Sequence, residues 1–182
     1  MPIISCIETS ADLIENCPSG AETTIGEDVY FVNTGDLISS PQPSAKTATT
    51  TAAEWLSVSG TFTFESTKQM SRLEASSSPE YNGETSGERG AKLNKPTLTI
   101  PLQRTPAALG WKEKNKNTNC VIVFKDGNGR WCIFGFKGRS ASLQKSSNKL
   151  GANDAMLNLV FEATTEAHYL PDTFTPQIIP AP

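Results

Sequence analysis

The sequence predicts an all-β fold: a β-sandwich or partly closed barrel with one short flanking helix, a long loop and extended terminal arms. Three observations carry this. In residues 58–65, Val58, Gly60, Phe62 and Phe64 alternate with Ser59, Thr61, Thr63 and Glu65. That is the period of a strand with one buried face and one wet face. Residues 93–102 repeat the pattern, with Leu98, Ile100 and Leu102 on one side and Thr97 and Thr99 on the other. Two apolar runs, 119–125 and 130–137, flank Asp126-Gly127-Asn128-Gly129, the signal of a β-hairpin.

The remaining elements follow in chain order. Residues 9–16 begin with the cap residues Thr9 and Ser10, and Pro18 limits them to one or two helical turns. Residues 28–32 form a short apolar strand, and Asn33-Thr34-Gly35-Asp36 turns the chain. Residues 39–53 are small, polar and of low complexity, too poor in apolar surface to fold alone. The 38 residues before them are too few for a separate domain, so the segment reads as an extended loop or arm laid on another surface, with a mobile loop as the alternative. Residues 75–90 are rich in Gly, Ser and Glu and read as a long inter-strand loop; loops of that length are usually functional or disordered. Thr105 and Pro106 are the cap and first residue of a short helix running toward Lys114. The first hairpin arm is apolar on both faces and belongs in the middle of the sheet, covered on both sides. Residues 151–154 turn into another strand over 155–163. The tail, 168–182, holds four prolines and reads as an extended C-terminal arm and not as a core element. The whole is one domain, 1–182, with 1–27 as an N-terminal arm.

Composition narrows the function classes. The chain is 37% hydrophobic and 19% charged, neither a coiled coil nor a disordered chain. No stretch approaches the roughly 20 apolar residues of a membrane span, so no membrane anchor is expected. The start lacks a basic region and soon meets Glu8 and Asp12, unlike a signal peptide, which predicts folding in a cytoplasm. Four cysteines (Cys6, Cys17, Cys120, Cys132) are too scattered for a disulfide scaffold. A two-residue hairpin turn sends Cys120 and Cys132 to opposite faces, which predicts free, buried thiols.

Charge is polarised along the chain. Residues 1–45 carry seven acids, including Asp12, Glu15, Glu27 and Asp28, and no Lys or Arg. Residues 104–150 carry ten bases, including Arg130, Lys137 and Arg139, against two acids. Two readings follow: the segments attract each other within one chain, or an acidic surface of one copy meets a basic surface of the next.

No pattern of reactive side chains stands out. The single histidine, His168, lies in the Pro-rich tail and reads as a solvated side chain, although Glu166 and Asp172 are near in sequence. No Cys/His cluster has zinc spacing, and no phosphate loop, nucleophile elbow or dinucleotide fingerprint occurs. Asp126-Gly127-Asn128-Gly129 starts like a calcium loop, but Lys137 stands where the closing acid belongs. Trp111, Trp131, Phe134 and Phe136 lie among bases and suggest base stacking, but alternating hairpin aromatics are more often core, and the pI near 5.2 disfavours a dedicated nucleic-acid binder. No catalytic residue, metal or cofactor is expected.

Four segments together resemble the tail tube (major tail) proteins of tailed bacteriophages, whose fold is shared with the inner tubes of contractile injection systems. They are the alternating strand 59–65 with its polar detour and return along 95–102, the short helix at 105–111, the hairpin 121–135, and the turn 151–154 into the strand 157–164. The resemblance implies a β-sandwich subunit, six-fold rings stacked into a hollow tube, and strands of all subunits joined into an inner barrel around the genome channel. It implies a structural virion protein made in the host cytoplasm. Its partners are copies of itself, other tail or baseplate proteins, and double-stranded DNA that passes through without sequence-specific binding. On this reading Ser59, Thr61, Thr63, Glu65, Thr97 and Thr99 face the lumen. Glu80, Tyr81, Glu84, Glu88 and Arg89, with Asp12, Glu15, Glu27, Asp28, Arg130, Lys137 and Arg139, serve ring stacking and subunit contacts. Rival readings are a tail terminator or injection-system tube component, and a monomeric β-sandwich that binds a carbohydrate or protein.

Overall fold

The computed structural model describes residues 28–47, 49–51, 54–83, 85–86, 93–150 and 155–178. β1 (Asp28–Asn33) passes through a 3-10 turn at Thr34–Asp36 into β2 (Leu37–Ser39) and β3 (Gln42–Pro43). Then come β4 (Val58–Ser59), β5 (Thr63–Phe64), β6 (Ser71–Glu74), β7 (Glu80–Asn82), β8 (Thr85–Ser86) and β9 (Leu93–Asn94). β10 (Thr97–Gln103) precedes the helix α1 (Pro106–Asn115). β11 (Asn119–Lys125), β12 (Trp131–Phe134), β13 (Ala141–Leu150), β14 (Ala155–Glu162) and β15 (His168–Tyr169) complete the order.

Nine of these strands form one antiparallel sheet that folds back on itself. One half runs β6-β1-β11-β12-β15, the other β13-β14-β10-β7. They meet where Asn119 and Cys120 of β11 pair with Ser142 and Ala141 of β13. Gly135 makes this corner possible. Its φ is +79°, and a β-carbon there would come within 2.6 Å of the Ala141 nitrogen and 3.0 Å of the Cys120 carbonyl oxygen. The sheet does not close into a barrel; the architecture is sandwich-like.

The first core lies between the two halves. Phe31, Ile122 and Phe134 enter it from one side, Ile100, Leu159 and Phe161 from the other, and Ala108 and Trp111 of the helix close one end. The second core lies on the outer side of the five-stranded half. There Tyr30, Val121, Val123 and Ile133 are covered by Leu37, Phe62, Met70 and Leu170. β11 is therefore buried on both faces from Cys120 to Phe124, as its apolar pattern predicts. The helix also forms as expected: Thr105 caps it, its hydroxyl accepting from the Ala108 N–H at 3.0 Å, and Pro106 opens it.

Several expectations change. The alternating run 58–65 is not one strand: Gly60, at φ +93°, breaks it into β4 and β5, which pair with β3 and β2 outside the large sheet. The run 93–102 divides at Lys95-Pro96 into β9 and β10. Its alternation holds over residues 97–100 in β10; beyond that Pro101, on the other face, is buried together with Leu102. The detour 75–90 contains β7, which pairs with β10, and β8, which pairs with β9. β6 and β13 carry no period-two signal, and the sequence reading passes over both.

The thiol geometry also differs. The hairpin connection spans Asp126 to Arg130, with Lys125 opposite Trp131, so residues of like parity pair. The Asp126 carboxylate holds this turn, accepting from the N–H groups of Asn128 and Arg130, each at 2.9 Å. Cys120 and Cys132 consequently share the first core's face. Cys132 lies opposite Phe124, and Cys120 is four residues further along β11, roughly 13 Å at strand rise. Separation along the strand keeps the two buried thiols free. Cys6 and Cys17, the helical turn 9–16 and the turn 151–154 lie outside the described residues.

The C-terminal tail is built in more deeply than expected. β15 pairs with β12, Leu170 is buried in the second core, and Phe174 packs on Trp131 and Phe62. His168 is not solvated. It is 7% exposed, its Nδ1 lies 2.8 Å from the Glu166 carbonyl, and its ring stands edge-on to Phe136. Burial lowers its pKa.

Candidate functional site

Among the described residues, the four-stranded half is backed by a core on one face only. Leu98, Ile100, Leu157, Leu159 and Phe161 point into the first core. The alternate residues form the outer face, which is wet except at the buried Pro101, and the strand registers order them in rows. One row runs Glu80, Thr99, Val160, Lys145; the next runs Asn82, Thr97, Glu162, Ser142. Among the described residues, the charged side chains on this face are Glu80, Glu162, Lys145 and Lys149, two of each sign. Both lateral edges are open among the described residues. β7 has a strand only on its β10 side, and β13 has none beside it beyond Ser142 except β14. β13 runs past the core, so every residue from Gln144 to Leu150 is exposed. Arg104 steadies the base of this hairpin, its Nε donating to Asn148 Oδ1 at 2.6 Å and its N–H to the Ala155 carbonyl at 2.8 Å.

The structure does not bring the six lumen candidates together. Thr97 and Thr99 lie half-buried on the wet face. Ser59, Thr61, Thr63 and Glu65 are exposed, but they lie with β4 and β5 over the second core, on the far side of the five-stranded half. The shared alternation of the two segments gives no information about which layer each joins.

The contact candidates also divide. Glu80 is exposed on the β7 edge. Tyr81, its neighbour, turns inward: its ring packs on Phe124 and Phe134, its hydroxyl donates to the Glu166 carboxylate, and it accepts from the Ala167 N–H at 3.2 Å. Burial, followed by the carboxylate bond, raises its pKa. Asp28 is held by Arg72 at 2.6 Å. Arg130 pairs with Asp126 at 3.0 Å and lies over the Tyr169 ring at 4.3 Å. Lys137 reaches the carbonyls of Leu37 and Ile38, while its N–H donates to the Ser40 hydroxyl at 2.9 Å. Arg139 is exposed in the turn with Phe136. Within the described residues, Asp28 and Asp36 pair with Arg72 and Lys68 and not with the basic stretch 104–150. Asp12, Glu15, Glu27, Glu84, Glu88 and Arg89 lie outside the described residues.

A second feature is a recess of about 280 Å³ between the two halves' edges, lined by Leu56, Pro79, Tyr81, Phe124, Cys132 and Tyr169. Burial, followed by the Asp126 charge, pushes the Cys132 thiol up to about 11, so it stays protonated at neutral pH and is a poor nucleophile. Among the described residues, no three His, Cys, Asp or Glu side chains converge as a metal site, and no helix is long and apolar enough to cross a membrane.

No protein-family model, curated protein or solved structure matches the chain. The wet sheet and its edges are therefore read on their own chemistry.

Proposed function

We propose that this protein is a structural subunit of a phage tail tube, forming stacked hexameric rings around a channel for genome delivery. The observation that carries the reading is the four-stranded half: one face sealed by a core, one face wet, and both edges open among the described residues. Four antiparallel strands put outer strands of opposite direction at the two edges. A second copy set beside the first by rotation then presents an antiparallel partner at the seam, and the operation repeats until a ring closes. The inner wall of such a ring carries Thr97 and Thr99 in place of the 59–65 segment. Acids and bases among the described residues balance on this wall, so DNA passing it displaces few counterions and meets little sequence-independent attraction.

Sedimentation velocity and negative-stain microscopy of the purified chain test the reading. Rings or tubes are expected as concentration rises. A single compact particle at every concentration overturns it. A second reading, a monomeric module binding a carbohydrate or protein partner, is favoured by the recess beside Tyr81, Phe124 and Tyr169, since aromatic-lined concavities suit such ligands. It predicts that single particle in the same run. A tail terminator or injection-system tube component would form rings as well, distinguished by rings that do not stack or by the particle that carries them.

A further inference from the structure

An open sheet edge does not choose its partner, because any other open edge presents the same N–H and C=O groups. Two choices compete here. β13 of one copy can pair with β13 of another about a two-fold axis, giving a closed dimer. Alternatively β13 can pair with β7 of the next copy, head to tail, giving a ring. The side chains on the wet face separate these outcomes. Lys145 and Lys149 stand on β13, opposite Val160 and Met156, and so project from the same face. Glu80 stands on β7, on that face too, at the other end of the Lys145 row. No ion pair among the described residues engages any of the three.

We propose that Glu80 at one edge and Lys145 with Lys149 at the other form a charge code that directs copies of this chain to join head to tail. This rests on the self-assembly reading above and names the residues that set its direction. In a two-fold β13 pairing centred on Ser147, Lys145 of each copy lies directly opposite Lys149 of the other, so like charges meet twice. Like charges directly opposite across a ladder destabilise it. The irregularity between Leu143 and Lys145 adds to the defence of this edge, since bulges and lysines are the usual guards against strand addition. Guards alone would leave the protein monomeric. What converts defence into choice is the acid on the far edge, because β7 offers the lysines of β13 an opposite charge where a second β13 offers only lysines. Attraction to one partner and repulsion from the other together set specificity.

The test uses two full-length variants at low ionic strength, where surface charge acts most strongly. One carries Lys145→Glu with Lys149→Glu; the other carries Glu80→Lys. Each alone places like charges at every seam and should raise the concentration needed for assembly by about tenfold, and more if several seams must form at once. An equal mixture of the two should assemble as the parent does, because alternating copies meet opposite charge at every seam. If the parent never assembles, the assembly reading itself falls. If the parent assembles and both variants assemble at the parent's concentration, the charge code falls and assembly stands. Impaired variants that the mixture fails to rescue also overturn the code, since general damage is not relieved by a second damaged copy.

Discussion

The first arm of the β11–β12 hairpin is buried for five consecutive residues, Cys120 to Phe124, whereas β13 is exposed for seven, Gln144 to Leu150. Both belong to antiparallel hairpins of one sheet. β11 has a strand on each edge and a core on each face, so its free energy comes from apolar burial. β13 beyond Leu143 has one strand on one edge, no core behind it and polar side chains on both faces. The contrast separates what folds the chain from the surface it leaves open. Mutations in the first hairpin should act on folding; mutations in the second should act on association.

The largest effect is expected at Phe134, fully buried in the first core and opposite Ile122. Phe134→Ala removes a large aromatic from a site that β11 and β14 prevent from collapsing. It should lower unfolding stability by about 4 kcal/mol, read from the denaturant midpoint. A loss under about 1 kcal/mol would place the core's weight elsewhere.

Next comes the corner that joins the two hairpins. Gly135→Ala forces a left-handed φ on a residue with a side chain and drives its β-carbon against the Ala141 nitrogen. About 3 kcal/mol is expected, with the loss shared between strain and reopening of the β11–β13 junction. Hydrogen exchange should show Ala141 and Ser142 losing protection first. Uniform loss over the whole sheet would argue that the corner is not a separate unit.

A smaller, pH-dependent effect is expected at His168, which pins the start of the tail beside β12. Its folded-state pKa lies below the ordinary value because burial disfavours the charged ring. Unfolded chains therefore bind the proton first. Stability is complete above about pH 6.5 and falls as the pH drops below that value toward the folded pKa. His168→Gln should flatten this part of the stability curve while carboxylate titrations at lower pH remain. An unchanged slope would show that the ring titrates as freely in the folded state as in the unfolded one.

The fold was legible where burial leaves a period in the residues. The all-β class, the hairpin at Asp126, the capped helix at Thr105 and the two-sided burial of β11 all follow from local pattern. Three things did not follow, each for a physical reason. Alternation in 58–65 and 97–102 reports a half-buried environment but not which layer covers it, so residues on opposite sides of the five-stranded half read as one surface. Hairpin register depends on how Asp126 folds its turn; a five-residue connection in place of two reversed the expected facing of Cys132. β13 was invisible because, past Ala141 and Leu143 at its base, it projects beyond the core and has no buried side chain to mark its period. For the same reason the candidate site was the least legible part: Glu80 entered only through the polar detour 75–90 that the resemblance assigns to ring contacts, and its row-mate Lys145 was not singled out.

The smallest effect on folding, and the most informative, is expected at the exposed end of that strand. Leu150 is 72% exposed, opposite Ala155 at the end of the hairpin ladder. A leucine in water contributes no burial to the isolated chain, so Leu150→Ser should change unfolding stability by no more than about 0.5 kcal/mol. If the β13 edge is covered in an assembly, the same change removes apolar surface from the seam and should raise the concentration needed for association. The two measurements pull the hairpins apart: one variant, silent in unfolding and audible in sedimentation. Equal silence in both would confine Leu150 to solvent in every state. A clear loss of unfolding stability would mean that the hairpin end packs within its own chain, and the division between a buried, folding hairpin and an exposed one would no longer hold.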